Sequence, residues 1–193
     1  MSAVRRLLVV GGSWGGITAS QSVLRALELP ADAATALVLH RQPIRSALAE
    51  VLGRGIGCPV EEAEDKMPLA PGRVYVAPPD YHLLVESGWL SLSTEEPVKY
   101  SRPAIDVLLE SAADAFGPRL VAVILTGAST DGTDGARAVR RRGGTVIVQD
   151  PRTAEQPVMP QSVVTAGLAD VVAPLRDLPA VIARAVDRAG ASA

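Results

Sequence analysis

A hydrophobic run, Arg5–Val10 (RRLLVV), leads directly into Gly11-Gly12-Ser13-Trp14-Gly15-Gly16, and an apolar-periodic stretch from Ile17 to Leu29 follows. A buried strand that enters a helix through so glycine-rich a turn is the opening unit of an α/β fold, with its functional groups at the C-terminal end of the strand. Ser13 stands in a G-x-S-x-G frame. Such a turn lifts a serine hydroxyl to the rim of a sheet, and the helix start beside it supplies unpaired N–H donors. The same residues admit a plainer reading, in which the turn is a phosphate or dinucleotide loop and Ser13 caps the helix. Against the dinucleotide reading, Ser13 occupies a position that G-x-G-x-x-G gives to glycine. The next strand, Thr35–Leu39, also ends in His40 and not in a ribose-binding carboxylate.

Short Val-, Ile- and Leu-rich runs at Leu7–Val10, Thr35–Leu39, Val74–Ala77, Val121–Leu125 and Thr145–Gln149 read as strands of a parallel sheet covered on both faces. Helices are expected at Ile17–Leu29, Ile44–Gly53, Ala104–Phe116, Gly135–Arg142, Gln161–Gly167 and Asp177–Ala189. In the third, Ile105, Leu108, Leu109, Ala112 and Phe116 share one stripe. Tyr81–Ser93 (YHLLVESGWLSLS) reads as an inserted antiparallel hairpin. Pro59–Pro71 and Pro151–Pro160 read as loops, and Gly190–Ala193 as a frayed tail. The fold class is therefore α/β, a mostly parallel sheet with helices on both faces and an added antiparallel hairpin, in a single domain over residues 1–193.

Composition narrows the function. The net charge of −2 implies no basic face, so nucleic acid is not an expected partner. The Arg140-Arg141-Arg142 run ends a predicted helix, where cations complement the dipole. One cysteine, Cys58, and two histidines argue against a disulfide framework and a structural metal site, and neither metal nor organic cofactor is expected. No apolar stretch reaches membrane-span length and no signal-peptide core is present, so a cytoplasmic protein that is not membrane-embedded is expected.

A nucleophilic serine needs a base, and the base needs an orienting carboxylate. His40 directly follows the second strand, and strand Val121–Leu125 leads into Thr126-Gly127-Ala128-Ser129-Thr130-Asp131-Gly132-Thr133-Asp134. All these candidates lie beyond strand ends, which share one rim in a parallel sheet. His82 falls within the hairpin and reads as structural. Asp134 suits the cap of the helix expected at Gly135, whereas Asp131 in the glycine loop has less structural role; spacing alone leaves both open.

Gly11–Gly16 (GGSWGG), His40 with Pro43, Val76–Asp80 (VAPPD), Arg102–Leu108 (RPAIDVL), Val123–Gly132 (VILTGASTDG) and Val158–Pro160 (VMP) occur in one order. Together they resemble the catalytic domain of the CheB protein-glutamate methylesterases, over about Leu7 to Leu175. The resemblance implies a doubly wound α/β fold, with Ser13 as nucleophile, His40 as base and Asp131, preferred over Asp134, as orienter. It implies a substrate cleft at Gly12, Trp14, Ala128 and Met159, and hydrolysis of γ-carboxyl methyl esters, with glutamine deamidation by the same acyl chemistry. The implied partner is a methylated helical receptor or signalling protein. Family members commonly carry a receiver domain ahead of the catalytic one; none is expected where the first strand begins near Arg5, so a regulator would act as a separate protein in trans. The chain departs from the family pattern at Trp14, usually a small residue, at Ala128 and Ser129, usually methionine and glycine, and by one extra residue before Pro43. Two other readings are a non-catalytic module with its cleft narrowed by Trp14, and a nucleotide-binding α/β module.

Overall fold

The strongest apolar runs form the middle of one sheet. The computed structural model describes residues 4–42, 44 and 47–191. Its strands are β1 (Arg6–Gly12), β2 (Ala33–Leu39), β3 (Val60–Glu62), β4 (Val74–Val76), β5 (His82–Val85), β6 (Leu90–Ser93), β7 (Leu120–Ile124), β8 (Thr145–Gln149) and β9 (Val171–Ala173). Its helices are α1 (Gly16–Arg25), α2 (Leu48–Gly53), α3 (Ile105–Phe116), α4 (Thr133–Arg141), α5 (Val158–Thr165) and α6 (Leu178–Ala191).

Seven strands run parallel in the order β3-β4-β2-β1-β7-β8-β9, and β5 and β6 form the separate antiparallel hairpin. Side chains alternate across the sheet, as a period of two requires. Leu7 and Val9 of β1 face a layer made by α3, α4, α5 and the hairpin, through Ile105, Leu109, Val139 and Leu83. Leu8 and Val10 face α1, α2 and α6, through Val23, Leu52 and Ile182. The sheet is thus doubly wound. The direction in which strands are added reverses at β1, which pairs in parallel with β2 on one side and β7 on the other. A crevice opens beyond the carboxyl ends of strands at such a switch point.

The differences from expectation lie at edges and helix ends. β3 falls inside the expected Pro59–Pro71 loop and β9 was not expected; both are three-residue strands, at the two edges of the sheet. α1 stops at Arg25, four residues before Leu29. α5 begins at Val158, inside the expected proline loop, because Pro160 sits in the first turn, where no intrahelical N–H bond is needed. Gly190 and Ala191 continue α6 where a frayed tail was expected; residues 192 and 193 lie outside the described residues. α2 begins at Leu48; positions 45 and 46 of the helix expected from Ile44, and Pro43, also lie outside them.

Candidate active site

The β1–β2 and β1–β7 ladders continue one residue past their strands and deliver the site. The Ser13 N–H donates to Thr126 O at 2.9 Å, and the His40 N–H to Gly12 O at 3.1 Å. Ser13 and His40 therefore stand side by side at the tips of paired strands, where neighbouring backbones lie about 4.8 Å apart. Gly15 follows with φ 75°, the left-handed conformation that lets the chain turn into α1. The Ser13 carbonyl accepts from the Gly16 N–H at 2.8 Å, but its side chain does not cap α1, whose N-cap is Gly15. Among the described residues the Ser13 hydroxyl has no hydrogen-bond partner, so the cap reading of this serine fails.

His40 Nε2 lies 2.7 Å from Asp131 Oδ2. Asp131 is fully buried. Its Oδ2 also accepts from the Ile105 N–H at 2.7 Å, and its Oδ1 from the N–H groups of Asp106 at 2.9 Å and Gly132 at 3.0 Å. Burial alone would push this carboxyl up; the hydrogen bond from His40 and those from the Ile105 and Asp106 N–H groups outweigh it and hold Asp131 below the usual carboxylate range. An ionised Asp131 accepts, so Nε2 carries a proton, and in the neutral imidazole the lone pair is then on Nδ1. The atom beside Nδ1 is Ser101 Oγ, at 3.2 Å.

The two candidate aspartates separate by geometry. Asp134 does not cap α4: the N-cap is Gly132, and Asp134 lies in the first turn, exposed and paired with Lys99 at 2.9 Å and with Arg137. Asp131, expected to have the lesser structural role, in fact caps the N-terminus of α3 as well as holding His40. Its counterpart is Asp106 of α3, buried, whose Oδ1 accepts from the N–H groups of Gly132 at 2.8 Å and Gly135 at 2.7 Å. Lys99 Nζ closes this cluster on Asp106 Oδ2 at 2.7 Å. Burial pushes the Asp106 carboxyl above the usual range, Lys99 opposes this, and the nearby Asp131 charge adds to it.

Of the residues expected to line a cleft, Gly12 and Trp14 flank Ser13 in the chain, and Met159 meets it across Gly127. Gly127 lies beneath it: a Cβ there would come within 2.7 Å of Met159 Cε and 2.9 Å of Ser13 Cβ, so Met159 and Ser13 close over a backbone that only glycine allows. Met159 is buried and its N–H donates to Gly127 O at 2.9 Å. Gly12 is buried, whereas Ala128 is exposed and Trp14 is 62% exposed, which makes both part of the rim and not of the core. Its Nε1–H donates to Glu155 Oε1 at 2.7 Å, tying the serine turn to the segment before α5. Among the described residues, the N–H groups of Trp14 and Ala128 donate to no protein acceptor.

His82 is structural, as expected: buried, with Nδ1 accepting from the Ala104 N–H and Nε2 donating to Glu96 O. The arginine run is structural too, with Arg140 paired to Asp170 and Arg142 to Asp114. Among the described residues no group of three or more metal-ligating side chains forms, and no helix is long and apolar enough to cross a membrane. Sequence reasoning missed Lys99, Ser101, Asp106 and Glu155. Only Asp106 carried a signal, an acidic residue beside the apolar stripe of α3.

Fold and site define a doubly wound α/β domain with a serine, an imidazole and a buried carboxylate gathered at the switch point. The chain belongs to the CheB methylesterase family, a family of carboxylic-ester hydrolases: the family model matches residues 8–182. A Nocardioides protein named protein-glutamate methylesterase/protein-glutamine glutaminase is 43% identical over 188 residues, 95% of this chain and 51% of that protein. A Leptospira interrogans protein named as a putative enzyme of the same kind is 39% identical over 173 residues, 89% of this chain and 90% of that one. The chain thus spans about half the length of the first relative and most of the second. The crystal structure of the Thermotoga maritima CheB methylesterase catalytic domain superposes with a TM-score of 0.88 at 34% identity, covering 95% of this chain and 99% of that domain.

Proposed function

We propose that this chain hydrolyses γ-carboxyl methyl esters of glutamate side chains on a helical, chemoreceptor-like signalling protein, and deamidates glutamine side chains by the same route. Ser13 is the nucleophile, His40 the base and Asp131 the orienter. The observation that carries the reading is the 2.7 Å contact between the His40 ring and a buried, ionised Asp131, on the strand tip next to Ser13.

In this mechanism Nδ1 of His40 takes the Ser13 proton as Oγ bonds to the γ-carbonyl carbon, and Asp131 stabilises the resulting imidazolium. The uncommitted N–H groups of Trp14 and Ala128 suit the developing oxyanion, a contribution of roughly 3–4 kcal/mol per donor. The imidazolium gives its proton to the departing methoxide, releasing methanol, or to the departing amide nitrogen, releasing ammonia. Water, deprotonated by His40, then attacks the acyl-enzyme, and Ser13 recovers its proton as glutamate leaves. The atoms balance without a cofactor. The substrate would be met in the cytoplasm, with any regulator approaching the same rim in trans, near Trp14, Ala128 and the 151–160 segment.

The test is methanol release from a receptor fragment bearing γ-methyl glutamate, with Ser13→Ala as control. Labelling of Ser13 by a fluorophosphonate separates this reading from a non-catalytic module, which would not label. A thermal-shift titration with nucleotides addresses the nucleotide-binding alternative.

A further inference from the structure

The residues before α3 make a tight turn that the proposed mechanism does not yet use. Val98 and Ser101 exchange hydrogen bonds, Val98 N–H to Ser101 O at 3.1 Å and Ser101 N–H to Val98 O at 2.9 Å. The two residues between them, Lys99 and Tyr100, have φ of 49° and 65°. Two consecutive left-handed residues define a turn that normally takes glycine, asparagine or aspartate. Neither stands here. Conformations of this kind persist where the surroundings over-determine them, and the Tyr100 side chain, fully exposed, contributes no packing.

What holds the turn is polar and comes from several directions. Lys99 Nζ reaches Asp106, Asp134 and Thr130 O. The Arg102 guanidinium grips Asp80 and the carbonyls of Thr94 and Glu95. Buried His82 ties Glu96 O to the Ala104 N–H. The result is that a single hydroxyl, Ser101 Oγ, is presented at 3.2 Å to His40 Nδ1, the ring nitrogen that faces away from Asp131.

We propose that Ser101 is the positioning residue for the base, its hydroxyl fixing the His40 ring from the side opposite Asp131. The inference rests on the reading of His40 as base. In the resting protein the Ser101 O–H donates to the Nδ1 lone pair. As Ser13 delivers its proton, the Ser101 O–H rotates off that single lone pair, and the Ser101 oxygen then accepts from the new Nδ1–H until that proton passes to the leaving group. A hydroxyl does both, and a methyl group neither. The second hydrogen bond is charge-assisted and therefore the stronger, so the gain falls on the imidazolium formed during reaction and not on the bound substrate.

The experiment compares wild type, Ser101→Ala and Ser101→Thr by two readouts. The first is the 15N spectrum of the His40 ring in the free protein, where one other histidine competes for assignment. The second is steady-state hydrolysis of a helical peptide carrying γ-methyl glutamate. Ser101→Ala is expected to move the Nδ1 signal toward that of a lone pair with no donor and to lower kcat about tenfold with KM unchanged; Ser101→Thr restores both. An unmoved Nδ1 signal in Ser101→Ala overturns the proposal, as does a threonine variant that folds but matches alanine in both readouts. If Ser101→Ala does not fold, the threonine variant decides: its Nδ1 signal and kcat stay within error of wild type, or the proposal is wrong. The spectrum is repeated in Ser13→Ala, so that a chain whose hydrolysis survives loss of Ser13 refutes the nucleophile while the ring still reports on Ser101.

Discussion

Asp106 and Asp131 cap each other's helices. Asp131, in the loop before α4, accepts the first free N–H groups of α3, at Ile105 and Asp106; Asp106, in the first turn of α3, accepts those at the head of α4, at Gly132 and Gly135. Each carboxylate meets orphan donors that its neighbour's helix could not satisfy alone, and the dipoles of both helices favour the two negative charges. Asp131 then has one oxygen left to share with His40, so the orientation of the imidazole depends on the register of two helices.

Asp131→Asn is expected to lower turnover by roughly 10⁴, because the ring loses the charge that selects its tautomer. Asp106→Asn touches no reacting atom, yet it sets an amide NH2 against the Lys99 ammonium; a destabilisation of about 1–3 kcal/mol is expected by urea unfolding. Asp134→Asn, exposed, should cost under about 1 kcal/mol and leave turnover within about twofold. Turnover falling for Asp134→Asn and not for Asp131→Asn would reverse the assignment.

Stability should carry an acid signature of Asp131. Its folded carboxyl lies below its unfolded value, so the stability it adds is present above the unfolded pKa of about 4 and is lost as pH falls through the lower folded value. Unfolding free energies measured from pH 5 down to pH 2 should therefore decline less steeply in Asp131→Asn than in wild type. An identical slope would mean that the carboxylate is not held ionised in the fold.

Gly127→Ala places a methyl where Met159 and Ser13 already close on the backbone. The serine shifts, and turnover is expected to fall by about 10², the usual cost of misplacing a reacting group by an ångström. Met159→Ala added to Gly127→Ala should recover part of that loss by opening space on one side. If the double variant is no better than the single one, the clash lies elsewhere.

Trp14 is exposed, so Trp14→Thr should leave stability within about 0.5 kcal/mol by thermal unfolding. It removes an indole and its bond to Glu155 from the rim beside Ser13. Bulkier γ-esters should then gain in kcat/KM relative to the methyl ester. A large stability loss would mark the indole as packing.

The interior strands and the placement of Ser13 and His40 were legible because each follows an unbroken Val-, Leu- or Ile-rich run, and parallel strands bring their carboxyl ends to one rim. β3 and β9 were not, since an edge strand of three residues needs no apolar run of its own. The choice between Asp131 and Asp134 could not come from local chemistry: Asp134 looked like a cap, but the cap of α4 arrives from Asp106, some 29 residues away. Ser101 and Lys99 were invisible for the same reason. Their roles exist only because an unusual turn lays residues 98–101 against His40 and the loop before α4.

The continuation of the β1–β2 ladder through the His40 N–H and Gly12 O has an engineering consequence. The spacing of Ser13 from His40 belongs to the sheet, not to the segments that shape the cleft. Gln156 is tied into that framework, accepting from the Gly127 N–H and donating to Thr126 Oγ1, whereas Glu155 meets the serine turn through the exposed Trp14 indole. An exchange confined to the residues around Glu155 is therefore expected to reshape the rim while the distance between Ser13 and His40 remains set by backbone pairing.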